Sequence, residues 1–216
     1  RNAPRLAPLI SAIGVSVFLQ ELVRLFFGRI PGMPDAKSDL AFPSISGISG
    51  ASVQVGGVLI RASAIFTIGA LVLCTVFLWI FVDRTKTGRA MVATSQDADT
   101  ARLMGINVDR VIVSAFAVGA VLAAVAGVAQ GLTVGNIGFR MGFLAGLKAF
   151  TAAVLGGIGN IYGAVVGGLV LGVAEALASN YLGTTAWKDV WAFILLILVL
   201  VFRPQGLLGA KVVDRA

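Results

Sequence analysis

The sequence contains no histidine, a single cysteine and few charges. Without histidine, the usual proton shuttle near neutral pH and most metal sites are missing. Cys74 alone excludes an intrachain disulfide and any Cys-x-x-Cys redox motif. Charged residues make up 12% and hydrophobic residues 58% of 216, against about 25% and about 45–50% in soluble domains. A soluble exterior needs more charge than this. The sequence "GGIGNIYG" (Gly156–Gly163) has the glycines of a phosphate-binding loop, but no strand precedes it and no Gly-Lys-Ser/Thr follows. It reads as a turn between two helices, with Asn160 and Tyr162 at the membrane surface. No triad, metal cluster or paired carboxylates suggest an enzyme.

What is present is a set of long apolar runs. Ala62–Val82 is 21 residues without a charge, and Val111–Phe139 is longer. About 20 apolar residues cross the hydrocarbon core as a helix, and the period-2 alternation of a membrane barrel is absent. The fold class is all-α: a polytopic helical membrane protein with about six membrane-embedded helices. The expected crossings are roughly Leu6–Phe26, Ala62–Val82, Val111–Leu132, Met141–Ile158, Gly163–Leu182 and Trp187–Phe202. The fourth is short and glycine-rich, so spanning and re-entrant forms both stand. Residues 1–216 read as one transmembrane domain. The chain begins at Arg1 rather than Met, and its first 30 residues do not read as a signal peptide. The expectation is the C-terminal part of a longer subunit.

The net charge of +7 is scattered near span ends, which fits membrane topology and anionic lipid rather than nucleic acid. With the N-terminus inside, Arg1, Arg5, Arg84, Lys86, Arg89, Arg102, Arg110, Arg203, Lys211 and Arg215 fall on the cytoplasmic side. Arg24, Arg29, Lys37, Arg61, Arg140 and Lys188 fall outside. This bias puts both termini and a loop of about 83–110 in the cytoplasm. The loop of about 28–61 is then external, with Pro31, Pro34 and Pro43 among Gly and Ser. It reads either as a surface for an extracytoplasmic partner or as a cap over the bundle.

Small residues recur every four positions. Gly119, Ala123, Gly127 and Gly131 form one ladder; Gly142/Gly146, Gly163/Gly167 and Gly168/Gly172 form others. Such faces let helix backbones approach in lipid. Lys148 and Glu175 lie inside apolar runs, where charges face a partner or a cavity. If the two spans are antiparallel, both sit about 10 Å below the outer end at 1.5 Å per residue, so the spacing predicts that they pair. The pair either fixes the packing of two helices or lines a solute path.

Between the second and third spans, "TSQDADTARLMG" predicts a short helix. Thr94 or Ser95 would cap it, Asp97 and Asp99 suit its positive end, and Gly105 supplies the stop. Asn107 or Asp109 would cap the next membrane helix. A stiff two-turn helix between spans can either transmit force from a soluble partner or rest on the membrane surface.

"GRAMVATSQDADTARLMGINVDRVI", "GFLAGLKAFTAAVLGGIGNIYGAVVGGLVLGVAEAL" and "WKDVWAFILLILVLVFRPQGLLG" resemble the permease subunits, of the LivH type, of bacterial branched-chain amino acid ABC importers. The match runs from about Ala41 to Gly209 and is looser before that. The resemblance implies inward transport of Leu, Ile and Val across the bacterial inner membrane. It implies a second, LivM-like permease subunit, two cytoplasmic ATPases that use ATP and Mg, and a periplasmic substrate-binding protein. This chain itself would bind no cofactor. Ser95, Gln96, Asp97, Ala98, Ala101, Arg102, Leu103 and Gly105 would form the coupling helix gripped by an ATPase. Two other readings stand beside it. One is an ABC permease for another small solute such as urea, a short amide or another amino acid. The other is an ion-coupled secondary transporter.

Overall fold

The computed structural model describes residues 7–31, 39–43, 45, 52–55, 58–157, 159–181, 188–203 and 205–209. Several features read from sequence lie outside the described residues: the span ends at Leu6, Ile158, Leu182 and Trp187, the loop residue Pro34, and the charges Arg1, Arg5, Lys37, Lys211 and Arg215. The chain divides into two compact units, Arg1–Val76 with Ile80–Phe143 and Phe77–Trp79 with Leu144–Ala216.

The first unit opens with α1 (Ala7–Phe26) and a 3-10 turn, Phe27–Arg29. Short strands β1 (Leu40–Ala41), β2 (Ser52–Val55) and β3 (Val58–Arg61) follow. Then come α2 (Ala62–Arg84), α3 (Lys86–Gln96), α4 (Ala98–Leu103) and α5 (Val108–Val134). Strand β4 (Asn136–Ile137) leads to the start of α6 (Met141–Gly156). The second unit holds the rest of α6, α7 (Ile161–Tyr181) and α8 (Lys188–Phe202).

Ser11–Arg29, Ala62–Arg84, Val108–Val134 and Ile161–Tyr181 are long and apolar enough to cross a membrane; Met141–Gly156 and Val190–Phe202 are shorter apolar helices. The two short helices coincide with the fourth and sixth expected crossings. Large side chains such as Phe18, Ile68, Leu73, Phe116 and Val173 stand exposed along these helices. That pattern suits lipid as the surrounding solvent and would be untenable in water.

Within the loop of about 28–61, the described residues include short strands that its turn-rich composition did not suggest. Strands β2 and β3 form an antiparallel pair, Val55 opposite Val58 and Ser52 opposite Arg61, and β3 runs straight into α2. Strands β1 and β4 pair antiparallel, Leu40 opposite Ile137 and Ala41 opposite Asn136. The Phe42 N–H donates to the Gly135 carbonyl at 2.8 Å. Gly135 ends α5 in the left-handed conformation, φ 79°. Two turns of alternating apolar residues leave too weak a sequence signal for strands this short.

The glycine ladders divide sharply. A Cβ on Gly131 would strike the Phe42 ring, one on Gly163 the Gly156 backbone, and one on Gly167 the Ala152 carbonyl oxygen and the Gly156 backbone. At Gly119, Gly127, Gly142, Gly146, Gly168 and Gly172 a Cβ would meet nothing within 4 Å. These six make no close helix contact among the described residues, so within this chain the ladders serve packing only at Gly131, Gly163 and Gly167.

Gly167→Ala should therefore lower the melting temperature of the purified subunit, by the equivalent of about 1–3 kcal/mol of overpacking. Gly168→Ala on the same helix should leave it unchanged within about 0.5 kcal/mol. Equal melting of the two variants would contradict the backbone contact.

Candidate functional site

The polar segment between α2 and α5 folds as two helices rather than one. Thr85 turns the chain out of α2: its hydroxyl donates to the Phe81 carbonyl at 2.6 Å and accepts from the Gly88 N–H at 3.0 Å. Gly88 is buried so tightly that a Cβ would overlap the Phe81 and Val82 backbone. Sequence reading missed Thr85 and Gly88, although a threonine three residues before a tight glycine is the signal of a helix cap.

Helix α3 then runs through Thr94, Ser95 and Gln96. Neither Thr94 nor Ser95 is the cap expected of them; the Ser95 hydroxyl donates back to the Val92 carbonyl at 2.7 Å. The break comes at Asp97, whose extended backbone (φ −153°, ψ 106°) starts α4. Its carboxylate accepts from the Asp99 and Thr100 N–H groups at 3.0 and 3.1 Å and from the Thr100 hydroxyl. The Thr100 hydroxyl bond, then the two backbone bonds, hold the Asp97 carboxyl below the ordinary carboxylate range. The cap lies at Asp97 because its carboxylate takes up both free N–H groups and the Thr100 hydroxyl, while the Ser95 hydroxyl is turned back onto the Val92 carbonyl.

Downstream, the expected signals hold their places. Gly105 adopts φ 83° and donates to the Arg102 carbonyl at 3.0 Å. Asn107 caps α5 by accepting from the Arg110 N–H at 3.1 Å. Asp109 lies in the first turn of α5. Arg102 pairs with Asp99 at 2.7 Å, but the two side chains are 48% and 89% exposed, so screening leaves this bridge little energetic weight. Ala101, Val108 and Val111 are buried, and α3, α4 and α5 all pack on one another. Leu103 and Met104 stand 88% and 79% exposed at the end of α4. Ser95, Gln96 and Asp97 are exposed and Ala98 is half-buried. The arrangement is a rigid bracket with an apolar tip.

In the second unit, α6 and α7 form an antiparallel hairpin, with Gly156 against Gly163 and Ala152 against Gly167. Gly157 and Gly159 turn the chain at φ 107° and 93°. Asn160 caps α7, accepting from the Tyr162 and Gly163 N–H groups at 3.0 and 3.3 Å. Tyr162 is exposed. The residues after α8 close over this turn. Leu207 and Leu208 donate N–H bonds to the Leu155 and Gly156 carbonyls at 2.8 and 2.9 Å, and Asn160 donates to the Leu208 carbonyl at 3.0 Å. A Cβ on Gly157 would meet the Gly209 backbone, and one on Gly206 the Gly157 backbone. Three of the "GGIGNIYG" glycines, Gly156, Gly157 and Gly163, are thus spent on protein contacts.

Further along the hairpin, Lys148 and Glu175 meet as the sequence spacing predicted. The Lys148 Nζ lies 3.0 Å from Glu175 Oε1 and 3.2 Å from Oε2. The lysine side chain is 24% and the glutamate 10% exposed. Glu175 continues the buried row Gly163, Gly167, Leu171 of α7, and fully buried Thr151 and Leu155 lie beside Lys148 on α6. No group of three or more His, Cys, Asp or Glu side chains able to hold a metal occurs among the described residues.

Comparison with known proteins gives this geometry its context. Residues 2–200 match the family described as "Branched-chain amino acid transport system / permease component". The chain is 48% identical over 218 residues to the high-affinity branched-chain amino acid transport system permease protein LivH of Salmonella typhimurium. It is 47% identical to LivH of Escherichia coli K12 and 46% identical to BraD of Pseudomonas aeruginosa, again over 218 residues. Each match covers 100% of this chain and 68% of the relative. No solved structure matches. The chain belongs to the family of branched-chain amino acid transport system permease components.

Proposed function

We propose that this chain is a permease subunit of an ATP-binding-cassette importer that carries leucine, isoleucine and valine inward across the bacterial inner membrane. The observation that carries the reading is identity of 46–48% along the whole chain to three permeases whose names state that transport. The α3–α4 bracket supports it. A bracket whose backbone is satisfied and whose tip shows Leu103 and Met104 to solvent is suited to seat in a pocket of an ATPase. Its partners are a second, LivM-like permease, two ATPases carrying ATP and Mg, and a periplasmic binding protein. This chain binds no cofactor of its own in the proposal. Both termini and the bracket lie in the cytoplasm, as the distribution of basic residues suggests. ATP binding then biases the permease between outward- and inward-open states through contacts that differ between the two.

Lys148 and Glu175 serve the packing of α6 on α7 in this reading. The Lys148 ammonium hydrogen-bonds Glu175 Oε2 and lies at ion-pair distance from Oε1, so the two charges meet within the protein, and the buried row that Glu175 extends is a packing face.

Three outcomes are expected. Purification of the whole importer should bring down ATPase subunits, and replacing Asp97 and Arg102 together by Ala should collapse transport-coupled ATP hydrolysis. A chain that travels alone and transports on an ion gradient would overturn the reading. Second, Lys148→Met or Glu175→Gln alone should destabilise the subunit by about 3–5 kcal/mol, while Lys148→Met with Glu175→Leu should melt near wild type and retain leucine uptake. A stable double variant without uptake would place the pair on the solute path instead. Third, Asp97 has a carboxyl held below its unfolded value, so its cap is fully present above that unfolded value. It is lost as pH falls through the lowered one. The protection of the Asp99 and Thr100 amides, measured against their intrinsic exchange rate at each pH, should fall only on acidification below about pH 4, and in Asp97→Ala it should be lost already at neutral pH.

A further inference from the structure

Helix α1 carries three uncharged polar side chains, Ser11, Ser16 and Gln20, ahead of the charged Glu21 and Arg24 near its end. Polar groups within a membrane helix face protein or a water-bearing cavity, because lipid leaves them unpaired. Ser11, Ser16 and Gln20 all line an open cavity of about 710 Å³. Phe116 of α5, Phe139 just before α6 and Phe143 of α6 are also among its walls. The volume falls within the range of small-molecule sites, about 300–1,000 Å³, and the mixture of a large apolar wall with a few polar groups is their usual make-up.

The polar groups are short of partners. Gln20 donates to the Ser16 hydroxyl at 3.1 Å, and its carbonyl oxygen has no hydrogen bond among the described residues. Cationic groups gather at one end. The Arg24 and Arg140 guanidiniums lie 5.9 and 5.3 Å from the centre of the Phe139 ring. Glu21 pairs with Arg24 at 3.0 Å, so one guanidinium is partly neutralised while Arg140 adds a net positive charge.

We infer that the cavity between α1, α5 and the start of α6 is a solute-binding station that takes an aliphatic amino-acid zwitterion during its passage. The inference rests on the transport reading and names the residues that would carry it out. The arginines attract the carboxylate, since guanidinium is the group best matched to it. Ser11, Ser16 and Gln20 supply oxygens for the ammonium group. The phenylalanine wall takes the branched side chain, whose burial contributes about 1.5–3 kcal/mol. Lipid tails would satisfy the wall but leave the three polar side chains that line it without partners.

The test uses the assembled importer in proteoliposomes with its binding protein, in a Cys74→Ala background that removes the native thiol. Ser16→Cys and Gln20→Cys are treated with a charged, water-soluble methanethiosulfonate, and Phe18→Cys, exposed on α1 and away from the cavity, serves as the contrast. Ser16→Cys and Gln20→Cys should react and lose uptake, while Phe18→Cys stays inert. Leucine at about ten times its half-saturating concentration should slow the reaction about tenfold. If either variant fails to assemble, Ser11→Cys takes its place. Thiols that never react while transport continues would mean that lipid or a neighbouring helix fills the cavity, and would overturn the inference. So would thiols that react with no protection by leucine. If the unmodified importer takes up no leucine at all, the transport reading itself falls, and this inference with it.

Discussion

In lipid, apolar surface gives two helices no net drive to associate, so α6 and α7 depend on how closely their backbones meet. Gly156, Gly163 and Gly167 remove the side chains that would hold them apart. Everything else in the second unit follows from that approach. Close contact brings the Gly163, Gly167, Leu171 and Glu175 row of α7 onto α6, and it places Glu175 within reach of Lys148. The register makes this concrete. Gly156 against Gly163 and Ala152 against Gly167 would put Lys148 opposite Leu171; the long lysine side chain reaches one turn further, to Glu175. An ammonium group can span that turn. A shorter cation could not.

The same approach creates a difficulty that the chain resolves locally. The end of α6 leaves carbonyls with no intrahelical partner. Leu207 and Leu208 supply N–H groups to Leu155 and Gly156 from the segment after α8. Asn160 ties the arrangement together, capping α7 with its oxygen and holding Leu208 with its nitrogen. One asparagine thus joins two helices and the tail.

Much of this was legible before the fold was seen, and the legible part has a common character. The apolar runs, Gly105, Asn107 and the pairing of Lys148 with Glu175 all rest on spacing along a single helix or across one turn. What sequence reading missed depends on which of several local options wins. Thr94, Ser95 and Asp97 are all competent caps, and only the count of hydrogen bonds that Asp97 accepts decides between them. The strands β1 and β4 pair residues about a hundred positions apart, and two residues of strand carry no readable alternation. The glycine ladders looked alike in sequence, yet only Gly131, Gly163 and Gly167 touch a neighbour. Spacing shows where small residues are allowed; it does not show where another backbone arrives.

The bracket of α3 and α4 raises the question of how so small an element could carry force. A helix of six residues has no stability of its own, because nucleation costs more than its few bonds return. Helix α4 persists for other reasons. Asp97 satisfies its first N–H groups, Gly105 and Ile106 donate to the Arg102 and Ala101 carbonyls at its end, and Ala101 is buried where α3, α4 and α5 meet. Its behind-side is therefore fixed to a 27-residue membrane helix, α5, while Thr85 and Gly88 fix α3 to the end of α2. Displacement of Leu103 and Met104 by a soluble partner cannot be absorbed by fraying at either end without breaking these caps. The displacement must pass into α2 and α5 instead. That is the mechanical property the proposed coupling role requires, and it follows from satisfied backbone ends rather than from the sequence of the tip.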